Sequence, residues 1–198
     1  PGEAALADPD ELALLIPTRL DKTWKQPPPC LQMAWLRTLT NGWVTERRFQ
    51  GDACPCRAGC GDPEGDCIEH YGVRPRFRRA WGHLSSSGLR YDFIHFMGLG
   101  RERPAVIKLR SIFLYAAYNT ILELRHGSEA SPSDEEFTNM VRERRIRLCG
   151  LAPEIGAFFE KRAWIAEVQA QVREQPPPPA QHRPSAPTLA LPPPPPDR

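Results

Sequence analysis

Residues 106–127 read VIKLRSIFLYAAYNTILELRHG, and this stretch decides the fold class. Its large apolar side chains recur every three or four positions, which is the spacing of one wide face of an α-helix. Gly127 then supplies a residue that suits the end of a helix. We therefore predict a long, largely buried helix whose inward face consists of Val106, Leu109, Ile112, Phe113, Ala116, Ala117, Tyr118, Ile121 and Leu124.

Segments before this stretch also carry helical spacing. Leu31, Ala34, Trp35 and Leu39 share one face, and residues 41–42 are Asn-Gly, a pair that provides a left-handed residue after a helix. Only residues 91–97 show an alternation that would suit a strand. The pattern predicts an all-α domain with little or no sheet.

Two more helices are predicted after the long one. Ser133 and Glu136 have the spacing of a capping box, and Gly150 is the expected end of the helix that this box opens. Pro153 suits the first turn of a last helix. Its apolar stripe is expected to contain Ile155, Phe158, Phe159, Ile165, Val168 and Val172.

Composition divides the 198 residues into three parts. Residues 1–29 are acidic and end in a proline run, so we expect a flexible lead-in; residues 30–174 form the helical domain, with a zinc knuckle near 54–74. Residues 175–198 hold 11 of the 23 prolines and form a polyproline tail. Its PxxP pattern at residues 184–187 fits an SH3-like partner, although a plain spacer has the same composition.

The location expected from the sequence is intracellular, either nuclear or cytoplasmic. No apolar run has the roughly 18 residues that a membrane span needs, and no secretory signal is recognisable, so we expect no membrane partner. A chain that starts at Pro1 without an initiator methionine is also expected to be part of a longer protein.

Four of the six cysteines lie in residues 54–70, CPCRAGCGDPEGDCIEH. No Leu, Ile, Val or aromatic residue lies between Gly51 and Cys67, so apolar burial cannot order this loop. Thiolates and an imidazole bind Zn²⁺ tetrahedrally, which would order it. The predicted ligands are Cys56, Cys60 and His70, with either Cys67 or Cys54 as the fourth.

Two other interpretations of the cysteines remain open. The cluster could form disulfides, which require an oxidising compartment, or its thiols could be inert or catalytic. Cys30 and Cys149 lie in or beside helical patterns, so we expect ordinary buried thiols there.

Positive charge is concentrated in residues 72–110, which hold nine Lys or Arg against two acidic residues, although the whole chain is only +2. Arg74, Arg76, Arg78 and Arg79 directly follow His70 and form a candidate edge for RNA or DNA phosphates. Phe77 and Trp81 could stack on bases, but their spacing favours burial in a helix. The later arginines at 142, 144, 145 and 147 are balanced by nearby acids and predict a solvated face.

Catalytic motifs are not found in this sequence. It has no Asp-Asp dipeptide for a two-metal polymerase site, and no GxxxxGK[ST], GxGxxG or HExxH pattern. The run at residues 85–88, SSSG, has no identifiable base and suits a loop. We expect a chain without enzymatic activity of its own.

The motifs around the cysteines resemble a known family. The segments WLRTLTNGW at 35–43, TERRF at 45–49, CRAGC at 56–60 and IEHY at 68–71, with Pro75 and Trp81, are similar to the zinc-binding region that follows the polymerase in non-LTR retrotransposon reverse transcriptases. In that family a Cys pair, a Glu-His and a Cys-Pro form the knuckle. Cys56, Cys60 and His70 match, whereas Arg74 stands where the last cysteine is expected.

This resemblance implies a non-catalytic, nucleic-acid-binding C-terminal portion of such an enzyme, with Zn²⁺ as cofactor and the polymerase domain of the parent chain as partner. The full parent would be an RNA-directed DNA polymerase. The alternative is a metal-stabilised helical protein-interaction module, or an inert retroelement remnant, that does not bind nucleic acid.

Overall fold

The structure, a computed structural model, describes residues 28–43, 45, 67–85, 88–97, 99–100, 102–127 and 132–175. Every regular element among these residues is a helix, which confirms the all-α prediction. The predicted lead-in up to residue 27, the tail from residue 176, and Cys54, Cys56 and Cys60 lie outside the described residues.

Eight helices follow one another in the described part of the chain. Their bounds are α1 Pro29–Leu39, α2 Ile68–Val73, α3 Pro75–Ser85, α4 Phe93–Phe96, α5 Pro104–His126, α6 Asp134–Leu151, α7 Pro153–Glu160 and α8 Ala163–Glu174.

Helix α5 is the centre of the core and packs against α1, α3, α6 and α8. Its predicted inward face is buried from Val106 to Ile121, while Leu124 is half-buried near the end. Gly127 caps the helix as expected. A helix covered on so many sides needs apolar side chains around most of its circumference, and this explains its wide apolar face.

Local signals at two helix ends are confirmed. Asn41, after α1, has a φ of 51°, the left-handed conformation that Asn tolerates better than most residues. At the start of α6, the Glu136 N–H donates to Ser133 Oγ at 3.2 Å, and the Ser133 N–H donates to Glu136 Oε2 at 2.6 Å. This reciprocal pair is the predicted capping box.

Three local expectations are wrong. Residues 91–97 are not a strand, because Asp92 accepts a hydrogen bond from the His95 N–H and caps the short helix α4. Gly150 does not end α6, which continues to Leu151 before Pro153 starts α7. The single last helix is broken at Arg162, whose φ of 51° cannot continue a right-handed helix.

Aromatic rings fill the core between the helices. The Trp43 ring lies 5.4 Å from Tyr71 and 5.6 Å from both Phe96 and Tyr118, centroid to centroid. Phe77 is fully buried and stacks on Tyr71 at 4.8 Å. Trp81 is buried against Phe113, so both side chains belong to the core, as their spacing indicated.

Candidate nucleic-acid interface and zinc ligands

Two of the predicted zinc ligands, Cys67 and His70, lie at the start of α2. Cys67 is the residue that precedes the helix, and His70 lies in its first turn and is buried. The His70 Nδ1 accepts a hydrogen bond from Arg74 Nε at 2.9 Å. Arg74 therefore lies beside the predicted imidazole ligand.

This hydrogen bond restricts how His70 can bind a metal. A neutral imidazole that accepts at Nδ1 carries its proton on Nε2, so neither nitrogen has a free lone pair for a cation. Coordination through Nδ1 must displace Arg74. Coordination through Nε2 requires the proton to move to Nδ1, and a protonated Nδ1 can no longer accept the hydrogen bond from Arg74. Either mode requires Arg74 to turn away. Among the described residues, no three Cys, His, Asp or Glu side chains form a metal-binding group.

The predicted arginine edge is divided by the fold. Arg76 Nε donates to Asp134 Oδ1 at 2.6 Å, and its Nη1 donates to the Pro132 carbonyl at 2.9 Å. Arg79 Nη1 also pairs with Asp134, at its Oδ2. These contacts attach α3 to the start of α6. The hydrogen bond from Arg76 lowers the pKa of the Asp134 carboxyl, so the pair stays charged near neutral pH and is lost only as the pH falls through that lowered value.

Arg78 differs from its three neighbours. Its side chain is exposed, and in the part of the chain that the structure describes that side chain has no hydrogen-bond or ion-pair partner. The sequence alone could not separate it from Arg76 and Arg79, because their partner Asp134 lies more than fifty positions away.

Part of the positive charge counted in residues 72–110 does not reach the surface. Arg110 and Glu102 form a buried ion pair, with side chains only 2% and 1% exposed. Arg110 Nη2 also donates to the Arg90 carbonyl at 3.3 Å. Arg90 pairs with Asp92 at 2.7 Å, and Arg103 pairs with Glu174. The positive field of this segment is therefore weaker than its composition suggests.

The second arginine run, at residues 142–147, is not a uniformly solvated face, although the balance of acidic and basic residues predicted one. Arg144 pairs with Glu123 of α5, and the Arg145 guanidinium lies 5.2 Å from the centre of the Phe159 ring. Arg142 and Arg147 remain exposed. Arg142 and Arg145 line a groove of about 510 Å³ that α6 forms with α3. The sequence analysis missed this groove, since it depends on which helix faces pack together.

An acid–imidazole pair lies at the short helix α4, between its capping residue Asp92 and His95. Asp92 Oδ1 is 2.7 Å from His95 Nδ1. Burial raises the pKa of the Asp92 carboxyl, but hydrogen bonds from His95 outweigh that effect and hold it well below its ordinary value. The His95 ring packs on Gly100, where an added Cβ would lie 2.7 Å from Cδ2. This pair fastens α4 to the loop that follows it.

No protein-family model, curated protein or solved structure matches this chain. None of the helices in the described ranges combines the length and apolar character needed to span a bilayer.

Proposed function

We propose that this chain is a non-catalytic, zinc-binding and nucleic-acid-binding C-terminal portion of a retrotransposon reverse transcriptase. The observation that carries the proposal is that α2, which holds His70 beside Cys67, is followed at once by α3, whose exposed face carries Arg78 and Arg79. The resemblance of the cysteine and histidine motifs to the knuckle of these enzymes supports the same conclusion.

Zinc would be held by Cys56, Cys60, His70 and either Cys67 or Cys54. The ion supplies a covalent-like crosslink for a loop that has too few apolar side chains to order itself. Because coordination requires the hydrogen bond between Arg74 and His70 to break, zinc binding would change the surroundings of Arg74, which lies four positions before Arg78.

Phosphate contact would be made first by Arg78, which has no competing carboxylate. Arg76 and Arg79 are shared with Asp134, so a phosphate must compete with that carboxylate for them. Affinity falls as salt concentration rises, and each phosphate contact on a single strand makes the slope of log affinity against log salt concentration steeper by about 0.7. The slope therefore counts the arginines that touch nucleic acid.

Two substitutions should change this slope in opposite directions. Arg78→Gln should make it about 0.7 shallower. Asp134→Asn should make it at least about 0.7 steeper, because it frees Arg79, while Arg76 keeps its hydrogen bond to the Pro132 carbonyl. The measurement is fluorescence anisotropy of a labelled single-stranded RNA over a salt series. Glu143→Gln is the matched control, because Glu143 lies exposed on α6 and its loss makes the same change in net charge.

The result that contradicts the proposal is a slope that depends on net charge alone. In that case Asp134→Asn and Glu143→Gln would behave identically, and Arg78→Gln would show no specific loss. Nucleic acid would then be attracted to the whole molecule rather than bound by α3.

A second candidate function is a helical protein-interaction module, or a remnant, that has lost nucleic-acid binding. The observation that favours it is internal pairing: Arg74, Arg76 and Arg79 all contact other side chains of the same chain. Leu151, which is 78% exposed, and the PxxP pattern would then serve a protein partner. A module of this kind should elute from single-stranded RNA or heparin columns at low salt, whereas the first candidate should be retained.

A further inference from the structure

The groove between α3 and α6 is lined by side chains from one face of each helix. Arg79, Ala80, His83 and Leu84 lie at helical spacing on α3, and Thr138, Asn139, Arg142 and Arg145 do so on α6. Its volume of about 510 Å³ is within the range of small-ligand sites.

Charge in the groove is predominantly positive. Three guanidinium groups, from Arg79, Arg142 and Arg145, face a single carboxylate, that of Glu135. Arg145 is held in place by the ring of Phe159, and a guanidinium that is fixed in advance loses less conformational entropy when it binds a phosphate. Arg79 is paired with Asp134, so a phosphate must compete with that carboxylate for it.

Arg142 and His83 are the groove residues best placed to accept a new partner. Both side chains are exposed, and within the described ranges neither side chain has a hydrogen-bond or ion-pair partner. Asn139 lies between Glu135 and Arg142 on the same face of α6 and offers an amide that can both donate and accept. The groove therefore combines a cation, an imidazole and an amide without internal competition.

We propose that this groove binds the backbone of single-stranded RNA, with Arg142 as its principal phosphate contact. The inference rests on the proposed nucleic-acid-binding function and adds a second site next to Arg78. Packed helices have axes about 8–10 Å apart, so a groove between them suits one strand rather than a duplex. Ala80, Leu84 and Val141 form a buried apolar floor to the groove, so the groups that can reach a ligand are the polar and charged side chains above it.

The test compares Arg142→Gln with Arg147→Gln. Arg147 is exposed on the same helix but does not line the groove. The two variants therefore make the same change in charge, each at an exposed position of α6. Binding of a labelled single-stranded oligouridine is measured by anisotropy over a salt series. We expect Arg142→Gln to make the salt slope about 0.7 shallower and to weaken binding several-fold, and Arg147→Gln to change neither.

Each outcome decides one question. If wild-type protein binds the RNA and the two variants behave alike, the groove is not the site, and the proposed function survives through Arg78. If wild-type protein does not bind the RNA at low salt, the proposed function and the groove both fail. A loss confined to Arg142→Gln, with unchanged circular dichroism, supports the groove.

Discussion

Replacing Phe77 by alanine should lower the free energy of unfolding by about 3–5 kcal/mol. The ring has no exposed surface and lies within 6.5 Å of five other aromatic centroids, including Trp43, Phe113 and Phe137. Its removal leaves a cavity among rigid rings from α2, α4, α5 and α6, which cannot collapse to fill it. The loss is measured by urea unfolding followed by circular dichroism.

Val73→Ala is the control for this substitution. Val73 ends α2 with 53% of its surface exposed, so its replacement should change stability by no more than about 0.5 kcal/mol. The opposite result for Phe77, a small loss of stability together with a large loss of RNA affinity, would mean that the ring is free to stack on bases. That outcome would overturn the packing described for α3.

Replacing Glu102 by alanine should also cost about 3–5 kcal/mol. Arg110 Nε lies 2.9 Å from Glu102 Oε2, and its guanidinium carbon lies 4.3 Å from the centre of the Trp81 ring. Its Nη1 is buried and has no hydrogen-bond partner among the described residues. Removal of the carboxylate leaves an uncompensated charge inside the protein.

The double variant Glu102→Ala with Arg110→Met separates charge from packing. Because both charges are then gone, it should be more stable than Glu102→Ala alone by at least about 1 kcal/mol, measured by the same urea unfolding. A double variant that is less stable than the single one would show that the guanidinium contributes mainly through its contact with Trp81. In that case the ion pair would not be the principal source of stability.

Local features of the fold could be predicted from the sequence because their causes are local. The capping box at Ser133 and Glu136, the left-handed Asn41 and the apolar face of α5 each depend on residues within one helix or at its end. The burial of Phe77 and Trp81 followed from their four-residue spacing. The break at Arg162 carries no such signal, since neither Gly nor Pro stands there.

The candidate site could be predicted only in part, because its electrostatics depend on distant pairs. The sequence indicated that residues 74–79 carry four arginines, but Asp134, which binds Arg76 and Arg79, begins α6 and follows only after two further helices. Composition alone counts Arg110 as part of the positive charge of residues 72–110, whereas in the fold it is paired with Glu102 in the interior. Conversely, Arg142 gained a role only when α6 was placed against α3.

The zinc content of the purified, reduced protein tests the central claim most directly. Native mass spectrometry is applied to the wild type, to Cys60→Ser and to Cys149→Ser, which removes a half-buried thiol of α6 outside the predicted ligand set. The account predicts one zinc ion in the wild type and in Cys149→Ser, and none in Cys60→Ser. Absence of zinc from the wild type, or equal zinc in all three proteins, would contradict it.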